Sequence, residues 1–199
     1  MRKLAFVAIA LLNTIALAQI AYPPEEVRAH NLPYIAAESR DASDVLAASV
    51  ATVLHNPNFC CGRDSSLQDT VQRADPRSLK DVAAKLGGRQ LLNDGRPVMV
   101  TAEVWPAAST NTTQIITAMR ENHPLLMEWN SHVYIVYGAM FNRVLQNDPD
   151  GGQEQEYTIQ KLLLLDLRYS GARRETVFDR EKDHLEDSQG FLLLDWKLL

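Results

Sequence analysis

The chain has 199 residues, of which 46% are apolar, 23% charged and 7% aromatic, and its formal charge is −5. That composition excludes a disordered tail or a collagen-like repeat and fits one globular domain. The acidic balance argues against non-specific binding to nucleic acid or to an anionic membrane surface. Two cysteines are too few for a disulfide scaffold and, without an HxxH-type cluster, for a zinc finger.

Residues 1–18 read as a secretory leader. Arg2 and Lys3 give a positive start, Leu4 to Leu17 is nearly all apolar, and Ala16-Leu17-Ala18 has the small-x-small form of a cleavage site. The alternative is an uncleaved anchor helix, but the run is shorter than the ~20 residues that span a bilayer. The expected mature chain is secreted or periplasmic and leaves no membrane segment behind. Disulfides persist in such a compartment. Losing Arg2 and Lys3 takes the formal charge to −7.

Residues 19–42 read as a lead-in, with Tyr22-Pro23-Pro24 extended. The spacing of Leu46, Val50, Val53 and Leu54 predicts a helix over 43–55, which Asn56-Pro57-Asn58 stops. A second helix follows Gly62, with Leu67 and Val71 inward. A third runs from Asp75-Pro76 along Leu79, Val82, Ala83 and Leu86 to Gly87-Gly88. The period then changes. Pro97 to Trp105 reads as a strand, and Asn111 to Glu121 as a short helix capped by Thr110 or Asn111. Strong strand signals cover Leu125–Trp129, His132–Phe141 and Tyr157–Tyr169, and weaker ones Thr176–Phe178 and Phe191–Leu198. Helices first and an antiparallel sheet after them make an α+β domain over 43–199.

Two cysteines stand between the first two helices, in Asn58-Phe59-Cys60-Cys61-Gly62-Arg63-Asp64. A thiol at position 61, just before a helix, meets unpaired N–H groups and the positive end of the helix dipole, and both favour thiolate. Gly62 lets the backbone approach a bound carbonyl. That is the setting of a nucleophile. Two buried structural cysteines, or a vicinal disulfide between Cys60 and Cys61, fit the same local sequence.

His132 opens a strand and is the expected base. The turn signal Asn147-Asp148-Pro149-Asp150-Gly151-Gly152 predicts a hairpin centred on Pro149. That centre sets Asp166 opposite His132, within the ~4.5–5.5 Å of cross-strand Cβ neighbours. A carboxylate there holds the imidazole in one tautomer. Asn147 and Asp148 are the alternative orienters. His30 and His184 read as exposed and His123 as a turn residue, while His55 is near enough in sequence to reach Cys61. No histidine pair has metal spacing, so neither a metal nor a cofactor is expected. Trp105 and Trp129 read first as core aromatics, with walls of a substrate groove as the other role.

Over residues 45–199 this order resembles papain-like cysteine peptidases, and more narrowly the double-glycine-leader peptidases and their secreted stand-alone relatives. The matching segments are Cys61-Gly62 with Ser65-Ser66-Leu67, Ile115–Arg120, Pro124-Leu125-Leu126, His132 to Gly138, and Leu164-Leu165-Asp166. The resemblance implies a papain-like fold with helices packed on an antiparallel sheet. It also implies Cys61 as nucleophile, His132 as base and Asp166 as orienter. Two positions depart from the family pattern. Arg63 stands where Pro usually follows Cys-Gly, and His55 stands where the oxyanion-hole Gln is found. His55, Asn58 and Cys60 are therefore secondary candidates at the site.

The expected function is an exported cysteine hydrolase that cleaves a peptide or isopeptide bond in a peptide or protein substrate. The alternatives are a related acyltransferase or cell-wall amidase, a redox-sensing cysteine pair, and a catalytically silent papain-like module that binds a peptide or partner protein.

Overall fold

The computed structural model describes residues 20–37, 39–56, 64–74, 76–147, 153–168 and 174–199. The expected leader, Cys60, Cys61, Asn58 and Asp148 lie outside the described residues. Strands β1 (Ile20–Ala21) and β2 (Glu25–Arg28) come first, then helices α1 (Ala42–Leu54), α2 (Ser66–Ala74) and α3 (Leu79–Leu86). Next are β3 (Gly88–Leu91), β4 (Pro97–Trp105), α4 (Thr112–Arg120) and β5 (Leu125–Trp129). The chain ends with β6 (His132–Asn147), β7 (Gln153–Asp166), β8 (Arg174–Asp179) and β9 (Ser188–Leu198). The described strands pair antiparallel in one sheet of order β3-β4-β9-β5-β6-β7-β8, with β1 and β2 also on β6. The domain is α+β.

Strand alternation gives the sheet two apolar faces. Leu126, Ile135, Leu163, Leu165, Leu192 and Leu194 point to one face and pack against α1, α2 and α3. Leu125, Met127, Tyr134, Leu162, Leu164 and Phe191 point to the other and pack against Ile115, Ala118 and Met119 of α4. Fully burying each such side chain contributes about 1.5–3 kcal/mol. Ser78 caps α3 by accepting from the Asp81 N–H at 3.2 Å. Asn111 caps α4 in a capping box with Gln114. Asn122, with φ 61, ends α4 in a Schellman arrangement: its N–H donates to Met119 and that of His123 to Ala118.

Asn122 also joins the two faces. Its side-chain oxygen accepts from the His30 N–H, and its carbonyl accepts from Asn56 Nδ2 at 2.9 Å. The junction sits where β2 hands over to β5 along β6. Arg28 pairs with Gly138, and Leu125 with Val136.

Several sequence expectations need correction. Part of the lead-in is paired, as β1 and β2, because β6 runs on to Asn147 and offers an edge beyond β5. The four-residue β3 has no alternating pattern and is held by pairing with β4. The centre of the β6–β7 hairpin is also displaced. Ile135 pairs with Leu165, so the next step of the ladder sets Tyr134, not His132, opposite Asp166.

Candidate functional site

His132 follows a two-residue turn whose Asn130 and Ser131 both have positive φ, 52° and 59°. That is the type I′ geometry of a tight hairpin, and Trp129 pairs with His132 across it. The pairing and the alternation along β6 direct the His132 side chain to the α4 face, with Trp129 and Tyr134. His132 is exposed. Trp129 packs on Tyr134 and, edge to face, on Phe178, with ring centroids 5.8 and 5.2 Å apart. Trp129 is half-buried and packs against the α4-side core.

Asp166 ends β7 on the same face, 3% exposed. Its partner is Arg168. The guanidinium donates from Nε to Oδ1 at 2.9 Å and from Nη2 to Oδ2 at 2.5 Å, and the Arg168 N–H adds a third bond to Oδ1 at 3.1 Å. Nη2 also donates to the Tyr134 hydroxyl at 3.2 Å, with the guanidinium over the Tyr134 ring. Burial alone raises the Asp166 pKa. The Arg168 hydrogen bonds and charge outweigh it and hold the carboxyl below its ordinary value. His132 and Asp166 therefore share a face and an end of the sheet, but as diagonal neighbours, which in sheets lie on the order of 7–8 Å apart. Asn147, the alternative orienter, closes the far end of β6 and does not reach His132.

The flanks of the cysteine-bearing segment are held elsewhere. α1 and α2 pack on the face opposite His132. At the α1 end, His55 closes the helix, its Nδ1 2.7 Å from the Ala51 carbonyl, and Asn56 is buried against Asn122. At the α2 end, Asp64 Oδ1 accepts from the Ser66 N–H, and its Oδ2 from the Asn93 N–H in the β3–β4 turn. On β9, Ser188 is level with Trp129 and Leu198 with Val98, about ten residues or roughly 33 Å apart at the usual strand rise. Asn93 lies past the Val98 end and His132 at the Ser188 end.

Sequence reasoning missed three features. Arg168 was legible as Asp-x-Arg, an i, i+2 spacing that puts both side chains on one face where a strand continues. Glu128 shows no such signal. Burial raises its pKa, against the opposing hydrogen bond from the Leu79 N–H at the start of α3. The third is a slot of about 240 Å³ floored by Trp105 and Leu193 and walled by Thr117, Ala118 and Glu121. Trp105 lines this depression and, like Trp129, packs half-buried against the α4-side core. Among the described residues no group of three His, Cys, Asp or Glu side chains could hold a metal ion, and no helix is long and apolar enough to cross a membrane. Compared with protein-family models, curated proteins and solved structures, the chain matches none.

Proposed function

We propose that this chain is an exported, papain-like module that binds a peptide or a partner protein without cleaving it. The observation that supports this reading is the Arg168 clamp on Asp166. A carboxylate that accepts three hydrogen bonds from one arginine has most of its acceptor capacity occupied. The imidazole that needs it stands one diagonal step away, on the face away from α1 and α2. In this reading neither an oriented base nor an adjacent helix start activates the thiols, since α2 begins at Ser66 and not directly after Gly62. The leader-like first 18 residues support export. The test is a thiol-directed peptidyl fluoromethyl ketone applied to the full chain. The reading expects labelling no faster than that of a free thiol and unchanged by His132→Ala. Rapid labelling that both Cys61→Ala and His132→Ala abolish would overturn it.

One observation favours a second reading, the cysteine hydrolase. His132 and Asp166 occupy one face at one end of neighbouring antiparallel strands, the order in which a papain-like site uses its base and orienter. In that chemistry His132 takes the Cys61 proton and the thiolate attacks the carbonyl carbon. The C–N bond breaks as the imidazolium protonates the leaving amine. Water then hydrolyses the thioester to the acid. Transfer to an amine in place of water uses the same groups. The labelling experiment separates this reading from the first.

A further inference from the structure

We infer that the slot between α4 and β4/β9 receives the side chain of a lysine or arginine from a bound peptide. This rests on the peptide-binding reading above and names what is bound. The floor is apolar: the Trp105 indole at the end of β4 and Leu193 on β9. The wall is the Thr117, Ala118 and Glu121 side of α4, and the Schellman end of that helix sets His123 at the mouth. A volume of about 240 Å³ is below the ~300–1,000 Å³ of sites for whole small-molecule ligands, and suits a single side chain.

The charge around the slot selects the kind of side chain. Glu121 lines it from α4. Glu103 stands directly opposite Leu193 in the β4–β9 ladder and accepts from Trp105 Nε1 at 3.2 Å, so its carboxylate is at the indole edge. Asp195, opposite Thr101, follows Leu193 on the same face of β9 and accepts from the Trp196 N–H at 2.7 Å. Among the described residues neither Glu103 nor Asp195 is in a salt bridge. An apolar trough with an indole face and carboxylates at its edge fits an alkyl stem that ends in a cation. The stem covers Trp105 and Leu193, and the cation meets the ring face and the carboxylates. A neutral apolar side chain fills the floor and leaves the rim unmatched. An acidic one is repelled by it.

The test is a titration of the full ¹⁵N-labelled chain with a Gly-Ser peptide carrying one arginine, and with its norleucine counterpart. The readout is the Trp105 indole N–H resonance, assigned with Trp105→Phe. The inference expects saturable movement of that resonance with the arginine peptide and at least tenfold weaker binding of the norleucine peptide. It also expects Glu103→Gln with Glu121→Gln to weaken arginine binding at least fivefold without changing the other indole resonances. Equal binding of the two peptides, or unchanged affinity in the double variant, would overturn it. Movement confined to resonances away from the slot would overturn the slot and leave the peptide-binding reading standing. No movement anywhere with either peptide would overturn both.

Discussion

Asp166 and Arg168, two residues apart at the end of β7, close on each other through paired guanidinium–carboxylate hydrogen bonds of 2.9 and 2.5 Å. The carboxylate is buried and the arginine side chain one quarter exposed, and Tyr134 ties the pair back to β6. Such a clamp fixes where the chain leaves β7. In the binding reading proposed above, it also competes with His132 for the Asp166 carboxylate.

Asp166→Asn removes the carboxylate charge that Arg168 grips. Removing one member of a buried pair costs ~3–5 kcal/mol, and the partial exposure of Arg168 reduces that to about 2–3 kcal/mol at neutral pH. The depressed folded pKa sets the pH dependence. The stabilisation is complete above the unfolded carboxyl value of ~3.9 and is lost as pH falls through the lower folded value. Urea unfolding of the two proteins is expected to differ most above about pH 5 and to converge in stronger acid. A constant difference across that range would contradict the clamp.

Glu128 is the opposite case, since burial raises its pKa. The folded state then holds the proton more tightly than the unfolded state. The ionised group weakens the fold as pH rises through the window above the ordinary carboxyl value. Glu128→Gln keeps an acceptor for the Leu79 N–H and removes the charge. Unfolding measurements are expected to find it at least as stable as the parent at pH 7 and without advantage at pH 3.

Asn111 closes both halves of the capping box that starts α4. Asn111→Ala is expected to cost about 1 kcal/mol, seen as a fall of roughly 2–4 °C in melting temperature for a domain of this size.

Gly190 has φ +139°, and a Cβ there would stand 2.5 Å from the Trp105 carbonyl oxygen. Gly190→Ala forces β9 away from the end of β4 and costs on the order of 1–3 kcal/mol in backbone strain, before any repacking. The Trp105 indole resonance is expected to shift in that variant even without a peptide.

The strands were legible because their apolar residues alternate. β4 and β5 were read with the bounds observed, 97–105 and 125–129. Asn111 declared α4 through its capping chemistry. The paired lead-in was not legible, because β1 and β2 are ordered by the long edge of β6 rather than by their own pattern. The β6–β7 register was read two residues out, since the loop residues do not fix the hairpin centre. Centring on Pro149 instead of one residue later moves each partner by two, and a shift of two keeps every side chain on its face. His132 and Asp166 were therefore placed on the correct face but one diagonal apart from their true partners. The slot was invisible because it joins residues from β4, α4 and β9 that share no local period.

The central proposal is that the chain binds without cleaving, which requires that Cys60 and Cys61 react as ordinary thiols. Its most direct test is the pH dependence of iodoacetamide alkylation of Cys60 and Cys61 in the folded, reduced chain. The account predicts rates at both thiols that rise around the free-thiol pKa of ~8.5 and do not change with His132→Ala. A Cys61 rate already at its plateau near pH 6, and lost with His132→Ala, would contradict it.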